Sequence, residues 1–147
     1  MQIILLLFLI LLPFENLFSK DEYFRTLRND KTNLRQGPSF DYPVKIFYKK
    51  KYLPVIILDN SDNFRKIRDH ENNSGWVHIS QLSKKKAAIV LDDDLIMFST
   101  TTIFSNPVAI LKKGRLVRVK KCKDEWCNVR SDKFKGWVKK ESLWGLL

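Results

Sequence analysis

Gly75-Trp76-Val77 followed by Leu82 returns as Gly136-Trp137-Val138 followed by Leu143, two copies of G-W-V-x-x-x-x-L set 61 residues apart. A motif that recurs at a fixed period means that the chain is assembled from a repeated unit. Tyr42-Pro43-Val44-Lys45-Ile46 matches Asn106-Pro107-Val108-Ala109-Ile110 at an offset of 64, and Phe64-Arg65-Lys66-Ile67-Arg68 matches Trp126-Cys127-Asn128-Val129-Arg130 at an offset of 62. Offsets this similar are what small loop insertions produce. Each unit then holds about 60 residues, near the lower size limit for independent folding, so the two units are expected to pack on each other.

Within a unit the segments are short and read as strands. Phe64 to Arg68 and Trp76 to Ile79 alternate apolar with polar residues, and Val55, Ile56 and Ile57 sit in an apolar run. Leu116 to Val119 and Trp126 to Arg130 are their counterparts in the second unit. Between them lie Asp59-Asn60-Ser61-Asp62-Asn63 and Glu71-Asn72-Asn73-Ser74-Gly75, which carry turn chemistry. No stretch after residue 20 sustains a helical apolar period over three turns. The pattern predicts an all-β chain of small barrels or sandwiches. The join, Ser83-Lys84-Lys85-Lys86, is too short for a flexible linker.

Ile3 to Leu12 is an unbroken apolar run closed by Pro13. It falls short of the about 20 residues that span a bilayer and suits the apolar region of a secretory signal peptide. Glu15 and Asn16 then give a polar stretch, and Ser19 is a small residue at a cleavage point. Export to the periplasm or cell envelope is therefore expected. A retained anchor or a buried N-terminal segment is the alternative.

The formal net charge is +11. Residues 20–82 hold 12 basic and 8 acidic residues, and residues 83–147 hold 15 and 7, so the second unit carries most of the positive field. Anionic lipid head groups, envelope polymers or an acidic protein would be attracted. Nucleic acid is the common partner of such a balance, but an exported chain meets little of it, and none is expected. Solubility alone is the competing explanation.

Asn33-Leu34-Arg35-Gln36-Gly37-Pro38-Ser39, then Tyr42-Pro43-Val44, resembles the N-L-R-x-G-P-S-x-x-Y-P-V opening of bacterial SH3 (SH3b) domains. The Gly-Trp-Val close with its following Leu resembles the same family's ending. Taken with Arg65 to His70, Gly75 to His78, Cys122 to Cys127 and Leu143-Trp144-Gly145, the chain resembles exported tandem SH3-like proteins of Gram-negative bacteria over residues 22–146. The second unit lacks L-R-x-G-P-S and has Leu95-Ile96-Met97-Phe98-Ser99 before a Thr run. The resemblance implies two SH3-like barrels of five to six strands, which after a signal peptide read at 1–19 are expected to pack together at 20–83 and 84–147. It implies binding or scaffolding in the envelope and names no ligand; wall peptide or an envelope protein is the expected partner.

Arg35, Tyr42, Tyr48, Trp76 and His78 are the candidate ligand residues, with Tyr52 a further aromatic. Aromatics line grooves for extended peptides, and the Arg35 fork suits a carboxylate. The two tryptophans follow glycines, where a missing Cβ lets the backbone bend. They read either as barrel wall or as groove floor. Cys122 and Cys127 flank four residues, and a hairpin there would oppose them, so a structural disulfide is expected, with free thiols as the alternative. His70 and His78 lie in the other unit from the cysteines, so neither a Cys–base pair nor a metal set is expected, and no cofactor is implied. Asp92-Asp93-Asp94 reads as a charged hairpin turn, and His70 as part of a solvated loop. Three function classes follow: a wall or envelope binding module, the targeting part of a cell-wall hydrolase, and a basic protein on anionic membrane.

Overall fold

The alternating segments become strands wherever turn residues separate them. The computed structural model describes residues 22–146, and the expected export segment at 1–19 lies outside the described residues. The first repeat holds β1 (Tyr23–Leu27), β2 (Thr32–Arg35), β3 (Val44–Tyr48), β4 (Pro54–Ser61), β5 (Phe64–Arg68), β6 (Ser74–His78) and β7 (Leu82–Ser83). The second holds β8 (Ala87–Val90), β9 (Asp94–Phe98), β10 (Pro107–Lys112), β11 (Leu116–Lys123), β12 (Trp126–Ser131), β13 (Phe134–Lys139) and β14 (Leu143–Trp144). The sheet orders are β3-β2-β6-β5-β4-β1-β7 and β10-β9-β13-β12-β11-β8-β14, the same path walked twice. The count of seven strands exceeds the expected five to six. The last strand of each sheet is only two residues long and follows a 3-10 turn, too short to show any alternation in sequence.

Pairing also corrects the alignment of the repeats. Arg35 opposes Val44 and Leu34 opposes Ile46, while Phe98 opposes Pro107 and Met97 opposes Ala109. Both ladders slip at the residue between, so Val44 corresponds to Pro107, one residue away from the match that apolar identity favours. Asp92 to Asp94 do not form a hairpin turn. They lead from β8 into β9, which are not neighbours, and Asp92 accepts a hydrogen bond from Ser142.

Three tight hairpins turn on aspartate. Asp62, Asp124 and Asp132 open the two-residue turns with φ of 45°, 52° and 51°, a left-handed conformation that a short polar side chain tolerates. The turn at Asp124 places Cys122 directly opposite Cys127, and the two are joined by a disulfide. The closed loop is short, so replacing both by Ser is expected to cost about 2 kcal/mol and to leave the far-ultraviolet dichroism unchanged, as a urea melt would show.

Each sheet closes over its own core. Leu27, Leu34, Val55, Ile57, Ile67 and Val77 fill the first, and Val90, Met97, Val117, Val129, Cys127 and Val138 the second. The repeats share their boundary: Ile89 of β8 is buried with the first core, and Leu116 packs against it. Trp144 meets Phe24 edge-on at 5.0 Å, and Thr26 donates to the Lys85 carbonyl at 2.7 Å. The lysine-rich join is thus held against the first repeat.

The glycines of the two Gly-Trp-Val motifs do not bend the chain. Gly75 and Gly136 are absent from the left-handed region, which among glycines holds Gly114 and Gly145. Their role is clearance. A Cβ on Gly75 would lie 2.7 Å from the Arg35 carbonyl oxygen, and one on Gly136 would lie 2.6 Å from that of Phe98. Strand β6 crosses β2, and β13 crosses β9, at a distance that only glycine permits.

Candidate functional site

Side chains alternate across a strand, so the inward positions Gly75 and Val77 commit Trp76 and His78 to the outer face. Trp76 opposes Lys66 on one side and Arg35 on the other, and His78 opposes Phe64. Trp76 is half-buried there. The loop from Gln36 to Pro43 folds over this face and delivers Phe40. Phe40, Phe64 and His78 form a triangle with all three ring centroids 5.2 Å apart. Phe40 still exposes 64% of its surface. A ring that large, left in solvent beside two others, is the most exposed large apolar side chain of the first repeat.

Arg35 builds the loop as well as charging it. Its Nη1 donates to the carbonyls of Phe40 at 3.2 Å and Tyr42 at 2.8 Å, and its guanidinium lies 5.4 Å from the Phe40 ring centre. Part of the fork expected for a carboxylate is therefore spent on the loop backbone. Tyr42 is exposed, and its ring rests where a Cβ on Gly37 would be, 2.5 Å from that position. His78 points Nδ1 at Ser80, bonding Oγ at 2.8 Å and accepting from the backbone N–H at 3.2 Å, which caps the 3-10 turn and fixes the ring against Phe40.

Four of the five candidate residues thus meet on one face: Arg35, Tyr42, Trp76 and His78. Tyr48 does not. It is 8% exposed in the first core and donates to Asp69 Oδ2 at 2.8 Å. Burial, then the bond to Asp69, hold its phenol well above the usual range. Tyr52 lies elsewhere too, at the boundary of the repeats under Arg118. Phe40 and Phe64 were not among the candidates. The signal available was a lone aromatic, Phe40, between the turn residues Ser39 and Asp41, where strand alternation cannot explain it.

The second repeat rebuilds the face with different chemistry. Phe98 stands at the Arg35 position, Trp126 at the Phe64 position and Lys139 at the His78 position, as the ladders align them. Lys139 covers Trp126 at 4.6 Å, and Phe98 meets it edge-on at 5.9 Å. The loop above carries Phe104, 92% exposed and away from this cluster. Among the described residues no group of three or more His, Cys, Asp or Glu side chains could hold a metal ion.

A barrel closed by Gly-Trp-Val strands and repeated in tandem defines a small binding-domain fold. The family model for the bacterial SH3 domain matches residues 28–84 and again 97–145. The chain belongs to that family and carries the domain twice. Among solved structures it is similar to NlpC2 from Trichomonas vaginalis, with 11% identity, a TM-score of 0.39, and coverage of 84% of this chain and 48% of that one. NlpC1 from the same organism gives 11%, 0.38, 84% and 45%. The chain spans about half the length of these structures, and a likeness of this degree carries no argument about the site. No curated protein matches it.

Proposed function

We propose that the chain is an exported, non-catalytic binding module of the cell envelope, and that the outer face of its first repeat holds a cell-wall peptide. The observation that carries this reading is the exposed Phe40 ring, seated on the buried Phe64 and the half-buried His78 and flanked by Trp76, Tyr42 and Arg35. An extended peptide lays its backbone and small side chains over such rings. Wall peptides carry carboxylates, and the remaining donors of Arg35 together with the exposed Lys66 opposite Trp76 supply the countercharge. The second repeat, with Phe98 for Arg35 and a lysine for His78, lacks this peptide-binding face.

Co-sedimentation with purified peptidoglycan tests the reading. Phe40→Ala removes a ring that is mostly in solvent, so its melting temperature is expected to stay within about 2 °C of the parent. Its binding is expected to weaken about tenfold, the usual scale for truncating an aromatic anchor. Arg35→Ala is a poorer probe because it also releases the loop. Binding of Phe40→Ala and Tyr42→Ala that equals the parent, with normal melting, contradicts the proposal.

A further inference from the structure

Like charges placed directly opposite on neighbouring strands cost stability, yet the second repeat aligns three. Arg118 of β11 opposes Arg130 of β12, which opposes Lys135 of β13. The corresponding row of the first repeat reads Ile56, Arg68, Ser74, and its one cation has Glu22 at 4.0 Å. Lys120 sits where the β11 ladder slips and adds a fourth charge. All four line a cleft of about 620 Å3 at the boundary of the repeats, together with Tyr52 and Asn128. The carboxylate in its lining, Asp132, is already paired with Arg115.

Other arginines in the chain are occupied. Arg25, Arg28 and Arg65 donate to the backbone carbonyls of Phe24, Leu82, Asp62 and Phe64. Arg118 is different. Its guanidinium lies 3.8 Å from the ring centre of Tyr52, and its Nε is buried with no hydrogen-bond partner among the described residues. Arg130 uses Nε on the Asp132 carbonyl. No ion pair of Arg118, Lys120, Arg130 or Lys135 is found among the described residues. Tyr52 is itself held at a φ of 65°. Desolvation raises its phenol, but the charges of Arg118, Lys51 and Lys85, together with a hydrogen bond from Arg118, outweigh that and bring it net below the ordinary value.

We propose that this cleft is an oxyanion site that takes a phosphate group, borne by a free solute or a lipid. Two guanidinium planes and two ammonium groups converge without a free carboxylate among them. A single carboxylate would neutralise one of these charges. A phosphate monoester brings a charge of about −1.5 to −2 and three acceptor oxygens, which suits paired forks. This site is separate from the first-repeat groove, and either can fail without the other.

Titration calorimetry of the purified protein with pyrophosphate tests it, with succinate as the carboxylate comparison. Vesicles of phosphatidic acid, whose headgroup is a phosphate monoester, in phosphatidylcholine test the lipid source. Pyrophosphate is expected to bind more tightly than succinate. Lys135→Gln is expected to weaken it about tenfold. Arg130→Lys, which keeps the charge and loses the fork, is expected to weaken it severalfold. Lys50→Gln, the same charge change on the first repeat, should alter binding less than about twofold. Without ligand, Lys135→Gln should melt no lower than the parent, because repulsion in the row is relieved. Vesicle binding that pyrophosphate displaces assigns the phosphate to lipid, and pyrophosphate binding without vesicle binding assigns it to a solute. Failure to bind both probes, succinate binding as tightly as pyrophosphate, or an equal loss in Lys50→Gln overturns the proposal.

Discussion

Asp69→Ala is expected to destabilise the protein by about 3 kcal/mol and to lower its melting temperature by on the order of 10 °C. Asp69 is 2% exposed and organises the turn between β5 and β6. Its Oδ1 accepts from the backbone N–H groups of Glu71 and Asn73, each at 2.9 Å. Its Oδ2 accepts from the Tyr48 hydroxyl at 2.8 Å and the Asn73 amide at 2.9 Å. The same turn holds Asn72 at a φ of 66°. Truncation strands the buried Tyr48 hydroxyl and removes the acceptor that organises the turn. Each unsatisfied buried group costs roughly 1–3 kcal/mol, and solvent rescues the donors nearest the surface. Tyr48→Phe removes one partner and leaves the carboxylate its other donors, so its cost is expected near 1 kcal/mol. Urea melts of both variants and of the double variant check the ranking. An Asp69→Ala protein as stable as Tyr48→Phe would contradict this account of the turn.

Gly75→Ala is expected to cost about 2–3 kcal/mol, and Gly136→Ala somewhat less. On Gly75 the added methyl meets the Arg35 carbonyl oxygen at 2.7 Å and Leu34 Cγ at 2.8 Å. A strand backbone and a fully buried leucine have little room to give. On Gly136 the Met97 side chain at 2.6 Å is flexible and moves, but the Phe98 carbonyl oxygen at 2.6 Å is backbone. Gly114 provides the control. It has a φ of +80° with nothing within 4 Å of its Cβ position, so Gly114→Ala suffers only conformational strain, about 1 kcal/mol. If Gly75 acted by bending the chain, the order would reverse and Gly114→Ala would be the worst of the three. Chemical melts of the three single variants read this order directly.

The repeat was legible because a barrel wall demands one pattern twice: glycine for clearance, an outward tryptophan, an inward valine. The hairpin disulfide was legible for a similar reason, since Cys122 and Cys127 sit across the shortest possible turn. The slip between Val44 and Pro107 was not. Sequence identity aligned Ile46 with Ile110, yet Ile110 faces solvent and Ala109 packs on the core. Both ladders carry the bulge at the same place, so the repeats stay in step through it, and Ile46 corresponds to Ala109, whose short side chain gives sequence identity nothing to match. Asp69 was hidden for another reason. In sequence, Asp69-His70-Glu71 is charged and reads as solvated, and only the fold brings Tyr48 from 21 residues away to bury it.

The groove was half legible. Arg35, Tyr42, Trp76 and His78 carry motif positions that place them on one face, but Phe40 and Phe64 depend on how the loop closes. Phe64 is buried under Phe40 and reads in sequence as an ordinary strand residue. The double duty of Arg35, which braces the loop through two carbonyls, is equally a matter of tertiary geometry.

On the proposed reading, the first repeat binds wall peptide on its outer face while the second does not. Titration of isotope-labelled protein with purified muropeptides, followed by amide chemical shifts, tests it most directly. Saturable shifts are expected at Arg35 to Tyr42, Phe64 to Lys66 and Trp76 to His78, with residues Leu116 to Lys139 unmoved. Shifts concentrated on β11 to β13, or none at saturating muropeptide, would contradict it.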